Sequence, residues 1–216
     1  RRIAGLSGQR VRAGIRLVSP DGGVPRAAEG EILFGTDAVS GIAAMQLARF
    51  YEPGMAVALD LRPSLCLTDA RGNELSAPPA DAVAALFRSF AAMRRDRPLA
   101  ELLTGVFSVP VSKLMLREAG FRDLSMPAAR FGAGEARRLA ETAADLRLPV
   151  TGTRGFEYAQ VTAGGIDTAD FDPDTMESKI CPGLYAAGEV LNVDGDCGGF
   201  NLMFAFAGGV LAGRAQ

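Results

Sequence analysis

The chain has 216 residues, 48% of them hydrophobic and 22% charged, and a formal net charge of −2. That is the balance of an ordinary globular protein long enough for one large domain or two small ones. It gives no ground for nucleic-acid or anionic-membrane binding, and no apolar run reaches the roughly 20 residues that a bilayer requires. The absence of histidine excludes Ser-His-Asp triads, imidazole acid–base catalysis and His-ligated metals within this chain.

Residues 1–76 read as β. No signal peptide opens the chain; it begins with Arg1 rather than methionine, within what reads as a strand, as either a piece of a longer protein or a processed terminus would. Val11 to Val18 alternates apolar and polar residues, as a half-buried strand does. Ser19 to Gly23 is a turn by composition, and Glu29–Gly35 and Met55–Leu61 are further strands. Between these strands Ser40 to Phe50 has helical spacing, with Ser40 as its N-cap.

Residues 77–148 read as α. Pro79 to Arg95 places Val83, Leu86, Phe87, Phe90 and Met93 in an apolar stripe at helical period. Shorter helices are expected at Leu99–Leu103 and Val111–Ala119, and another at Gly134–Leu146. Eleven basic side chains alternate here with eight acidic ones, the pattern of a solvated helix surface rather than a nucleic-acid patch.

Residues 149–216 are richer in glycine. A small-residue strand, Gly183 to Val190, is expected to precede a glycine-rich bend. The apolar run Asn201 to Ala212 is too short to span a bilayer and reads as a buried helix. Residues 156–216 carry two basic and nine acidic side chains, so a phosphate-bearing ligand there must be held by backbone dipoles.

Gly183–Gly213 carries the chemistry. Gly188 removes a side chain where a ligand approaches the backbone, and Glu189 places a carboxylate at a strand end, where open α/β sheets bind ligands. Asp194-Gly195-Asp196-Cys197-Gly198-Gly199 then opens directly into a helix near Asn201. Backbone N–H groups at such a start suit an anion or electron-rich carbonyl oxygens. Against this, a Gly-Gly before an apolar helix is common, and a Gly-Glu at a strand end says little by itself. The three cysteines, Cys66, Cys181 and Cys197, lack metal-ligand spacing and suit a reducing cytoplasm. No C-x-x-C pair exists, so Cys197 reads as a small structural thiol even though a helix start favours thiolate.

Pro182 to Asn201 resembles the C-terminal signature of flavoproteins with the glutathione-reductase-type FAD fold. More narrowly, it resembles a bacterial family of NAD(P)/FAD-dependent oxidoreductases with aminoacetone-oxidase-like and bile-acid-dehydrogenase-like members, whose pattern is approximately pGLYfaGEvlDvdGxxGGyN. Asn192 stands at an Asp-like position and Phe200 replaces tyrosine. Thr151–Phe156 resembles the family's TGTxGF, Val161–Ile166 its VTAGGV, and Thr175–Lys179 its TMESK. Gly30–Phe34 with Ser40-Gly41 resembles its GElLFT…SGP, with Gly35 in place of threonine and Ile42 in place of proline. The resemblance covers most of the chain in the right order.

The resemblance implies FAD as cofactor, with NAD(P)H as a further partner and a small-molecule substrate. Glu189 is then the acidic residue near the ribityl or phosphate region, with Gly188 beside it. Gly198, Gly199 and Asn201 present N–H groups to the flavin's pyrimidine edge, and Thr162 and Gly164 pass close to the cofactor. No catalytic residue is identified and no metal is implied. Lys179 also reads as a plain surface lysine, and Met176 as core. The G-x-G-x-x-G that opens such enzymes is not found here.

The expected architecture is therefore α+β in three parts. Residues 1–76 form the β-rich, barrel-like half of an insert domain, 77–148 its helical half, and 149–216 the C-terminal part of an FAD-binding domain. The chain is expected to be inactive alone, to bind FAD weakly or not at all, and to need an N-terminal dinucleotide-binding domain. The surface which that domain covers invites homo-oligomers when it is absent. Two rivals are a non-catalytic protein-interaction module and a nucleic-acid-binding piece that uses the arginine-rich helices.

Overall fold

The computed structural model describes residues 3–215. They fall into two compact units that divide between Gly152 and Thr153. The expected opening strand lies partly outside the described residues, and Ala4–Leu6 form a single 3-10 turn.

Alternation decides the first strand of unit 1. β1 (Arg10–Val18) buries Val11, Ala13, Ile15 and Leu17 and turns Arg10 and Arg12 to solvent, because successive side chains point to opposite faces. The turn after it closes with Ser19 N–H to the Gly23 carbonyl, 2.9 Å, and returns the chain as β2 (Arg26–Phe34). The strands pair antiparallel from Arg10↔Leu33 to Leu17↔Arg26. Across the exposed face Arg10 meets Glu31 at 2.5 Å and Arg12 meets Glu74 at 2.6 Å. Such solvated pairs orient side chains more than they stabilise the fold.

β3 (Val39–Ser40), β4 (Ala56–Asp60) and β5 (Leu146–Pro149) complete a five-stranded antiparallel sheet in the order β3-β2-β1-β4-β5. The architecture is mixed α/β, with β3 and β5 as the sheet's two edges. Ser40 is not the cap of the following helix: its backbone pairs with Leu33 in the ladder. α1 (Ile42–Ala48) instead starts after Gly41, without a side-chain cap. The end of α1 is marked by Phe50, which carries the guanidinium groups of Arg26 and Arg49 at 4.5 and 4.7 Å from its ring centroid.

The helices pack on the sheet's buried face. α2 (Ala80–Met93) buries Val83 and Phe87, but Met93, the expected end of its stripe, is 71% exposed. Six residues beyond Phe87, it is rotated by roughly 120° from the core-facing line. α3 (Val109–Glu118) and α4 (Ala133–Ala144) follow, and Leu99–Glu101 form only a 3-10 turn. α4 stops short of Leu146, which opens β5 opposite Leu59. Ile15, Leu59, Phe87, Leu116 and Leu139 belong to one continuous core, so sheet and helices are stabilised together. Arginines of this region pair locally at the surface, Arg97 with Glu101 at 2.6 Å and Arg137 with Glu141 at 3.2 Å.

One ion pair ties the layers together. Arg62 grips Asp60 with Nη2–Oδ2 2.6 Å and Nε–Oδ1 2.9 Å and donates Nη1 to the Pro78 carbonyl, tying the entrance of α2 to the end of β4. The Asp60 hydrogen bond raises the Arg62 pKa against the opposing effect of burial. Ser112 is the opposite case, a buried hydroxyl without a hydrogen-bond partner. Ser112→Ala removes an unpaired dipole from an apolar site. We expect it to be neutral or to stabilise by up to ~1 kcal/mol, read as a raised denaturation midpoint; a loss of stability would show a bonded hydroxyl.

Unit 2 has a far smaller core. Phe171, Met176 and Leu191 are buried, with Ala186, Val193, Phe204, Leu211 and Ala212 partly covered around them. Met176 is thus core, as its sequence suggested. It holds a φ of +62°, and its N–H and carbonyl bond Asp172 and Ala186. The expected strand Gly183–Val190 does not form. A single bridge joins Glu177 and Tyr185, and Gly188–Val190 is a 3-10 turn. The small residues that read as a strand are small because the last helix packs on them.

That helix, α5 (Phe200–Ala215), is not buried as expected. Gly208 is its one buried residue among those described; Phe206 is 73% exposed, and Leu202, Met203 and Val210 are also largely exposed. A core of three buried residues covers one side of a helix that is apolar all round, and the opposite side has nothing within the unit to cover it. No helix among the described residues is long and apolar enough to cross a membrane.

Candidate functional site

Two of the segments singled out by their glycines meet within unit 2. Ile166 donates its N–H to the Val190 carbonyl at 2.9 Å, and Asn192 returns its N–H to the Ile166 carbonyl at 2.8 Å. This short parallel bridge lays Val161–Ile166 beside Gly188–Asn192. Thr162 donates its N–H to the Glu189 carboxylate, so two expected site residues touch. Glu189 stands exposed on a turn rather than at a strand end.

Each glycine has its own reason. Gly165, with φ +135°, lies so close to the neighbouring chain that a Cβ would fall 2.7 Å from the Val190 carbonyl oxygen and the Leu191 carbonyl carbon. Gly164, with φ +102°, faces open space. Gly188, with φ +77°, is buried, and a Cβ there would meet that of Ala205 at 3.2 Å. From the helix side Gly208 repeats this, 3.3 Å from the Ala187 Cβ. Gly188 therefore seats α5 on the turn that carries Glu189.

The loop before α5 is held by Asn201. Its Oδ1 accepts the Gly195 N–H at 2.7 Å, and its Nδ2 donates to the Gly195 carbonyl at 3.1 Å. This reciprocal pair uses the side-chain amide and leaves the backbone N–H of Asn201 unengaged by it. The first helical bond of α5 runs from Met203 N–H to the Gly199 carbonyl, 2.9 Å, so the N–H groups of Phe200, Asn201 and Leu202 precede it. Gly198 and Gly199 have φ of +134° and +92°, and a Cβ on Gly199 would find nothing within 4 Å.

A Cβ on Gly164 or on Gly199 would meet nothing within 4 Å, and the N–H groups at a helix start can hold electron-rich carbonyl oxygens or an anion without a side-chain cation. The surrounding acidity makes that backbone character necessary. Lys179 does not change it, since its Nζ donates to the Ala169 carbonyl at 3.0 Å. Cys197 is half-buried, and all three thiols are free. Among the described residues no group of acidic or cysteine side chains could hold a metal ion.

Gly165 and the Asn201–Gly195 pair are the features that motif reading left out. The paired glycines after Thr162 were visible, but spacing could not say which of them meets the neighbouring backbone. The Asn201 contact had a weak signal, an amide six residues after the glycine of an Asp-Gly-Asp turn.

Comparison with known proteins gives the family. The family model described as HI0933-like protein Rossmann domain matches residues 17–215. The chain is 32% identical over 186 residues to the 3-dehydro-bile acid delta(4,6)-reductase of Clostridium scindens, covering 86% of this chain and 44% of that protein. It is 30% identical over 176 residues to the ribosomal RNA dihydrouridine synthase of Escherichia coli, and 25% identical over 177 residues to that of Haemophilus influenzae. Each of these covers 82% of this chain and 40% of the relative. The chain thus spans less than half the length of the curated relatives it matches.

Proposed function

Because the chain belongs to the HI0933-like protein Rossmann domain family, we propose that it forms part of a flavin-dependent oxidoreductase, with FAD as cofactor and NAD(P)H as reductant, acting in the cytoplasm. A Rossmann domain is a dinucleotide-binding fold. The observation that carries the reading is the start of α5 beside Gly199, in the same unit as the Glu189–Thr162 contact. When bound, the flavin supplies a ring that accepts and donates hydride. Gly198, Gly199 and Asn201 would hold its pyrimidine edge through backbone N–H groups, and the dipole of α5 favours negative charge there. Glu189, with Gly188 and Thr162 beside it and Gly164 leaving room, would face the ribityl and phosphate region. Residues 1–148 would be the insert domain of that enzyme.

The exposed apolar face of α5 supports a second body. A dinucleotide-binding domain docking there would cover Leu202, Met203 and Phe206 and complete the site. Without it, the same face drives homo-oligomers. The relatives' names share one chemistry, since a delta(4,6)-reductase and a dihydrouridine synthase both saturate a carbon–carbon double bond. We place this chain in the same class, with a small molecule as substrate. A second reading, a uridine in RNA, is favoured by the two dihydrouridine synthase relatives.

The test is an FAD titration followed by visible absorbance, on the chain alone and on the chain mixed with a separately expressed dinucleotide-binding domain of the same protein. Flavin bands in the mixture alone, abolished by Phe206→Glu, are expected. Bound flavin in the chain alone would overturn the shared site, and flavin in neither sample would overturn the cofactor assignment.

A further inference from the structure

The loop that opens into α5 is loose by composition, and one side chain closes it. Three of the five residues from Gly195 to Gly199 are glycine, the residue that loses the most backbone freedom on being ordered. Gly198 and Gly199 hold φ of +134° and +92°, and a Cβ on Gly199 would meet nothing within 4 Å, so no contact there confines it. The Asn201 side chain supplies the restraint. Its Oδ1 accepts the Gly195 N–H at 2.7 Å and its Nδ2 donates to the Gly195 carbonyl at 3.1 Å, both bonds partly buried. Two bonds to one residue close a ring from Gly195 to Asn201. Gly195 suits that place, since a Cβ on it would lie 3.2 Å from the Cβ of Phe200.

Both polar atoms of the Asn201 side chain therefore act on the loop. A ligand that needs one loop shape binds more weakly by the fraction of time the loop spends in that shape. Holding the shape beforehand raises affinity without any new contact to the ligand.

We propose that Asn201 is the positioning residue of the cofactor loop: its side chain holds the bend from Gly195 to Gly199 in the binding shape before FAD arrives and does not itself touch the flavin. This rests on the flavin reading above and deepens it, because that reading uses only the backbone N–H of Asn201.

The test uses the full-length protein, freed of flavin and titrated with FAD, as wild type, Asn201→Ala and Asn201→Ser. Serine is favoured at helix starts but is too short to reach both groups of Gly195, so it keeps α5 while opening the ring. If the open loop holds the bend about one-tenth of the time, both variants bind FAD about tenfold more weakly. Amide exchange over residues 194–199 of the flavin-free protein should quicken in both. The absorbance spectrum at FAD saturation should match that of the wild type, since the bound shape is the same. Faster exchange with unchanged FAD affinity overturns the positioning role, as does unchanged exchange in both variants. A shifted spectrum at saturation overturns it too, by showing a side chain in contact with the ring. All three of those outcomes leave the flavin reading standing, whereas a wild-type protein that takes up no FAD overturns that reading and the proposal with it.

Discussion

Gly41→Ala is expected to destabilise unit 1 by about 3 kcal/mol or more, the sum of left-handed strain and overpacking against backbone. Gly41 has φ +99°, and a Cβ there would sit 2.3 Å from the Glu31 carbonyl oxygen and 3.4 Å from the Leu33 nitrogen. Those atoms belong to β2, which is paired with β1 along its length, so they cannot retreat without breaking the ladder. Gly120 is the control: its φ is +90°, but a Cβ would meet nothing within 4 Å. Gly120→Ala should therefore cost only the backbone term, about 1 kcal/mol. Denaturant titration of the two variants separates the effects, and equal losses would show that crowding at Glu31 is relieved cheaply.

Gly165→Ala should do to unit 2 what Gly41→Ala does to unit 1, with a consequence for the site. The added Cβ would lie 2.7 to 2.8 Å from backbone atoms of Val190, Leu191 and Asn192, forcing Ile166 away from both bonds that join the two segments. Thr162 would leave Glu189 with it. Overpacking and strain of this kind cost about 3 kcal/mol or more, and three buried core residues offer little to offset it. Hydrogen exchange at the Ile166 and Asn192 amides reads the change directly. Protection should vanish in Gly165→Ala and persist in Gly164→Ala, whose new methyl would point into open space. Retained protection in Gly165→Ala would mean that the bridge is not what joins the segments.

Much of the fold was legible because local patterning and packing agree in unit 1. The alternation at Val11–Val18 and the stripe from Val83 to Phe90 are each set by one buried face, so reading the period finds the element. The errors fall where a backbone group had a second use. Ser40 looked like a cap until the ladder to Leu33 claimed its backbone. Leu146 continued a helical pattern but was taken by β4.

Unit 2 was legible as motif and not as structure. Resemblance brought together Val161–Ile166, Glu189 and the Gly198–Asn201 turn, and the bridge between Ile166 and Val190 and Asn192 shows the first two in contact. Composition misread the shape of that region. Small residues from Gly183 to Val190 looked like a strand, although their size serves close packing: Ala187 meets Gly208, and Gly188 meets Ala205.

By itself the sequence determined the mixed α/β class and the position of most strands and helices, through residue type and periodicity, which are local; the absence of histidine from this chain is read directly, and the family followed from the motifs that resemble it. Tertiary structure alone decided that Gly165 rather than Gly164 is sterically required, that Asn201 spends its side chain on Gly195, and that α5 turns Phe206 to solvent. Each of these depends on which atoms from distant parts of the chain lie within a few ångströms, and a run of apolar residues cannot say what, if anything, will cover it.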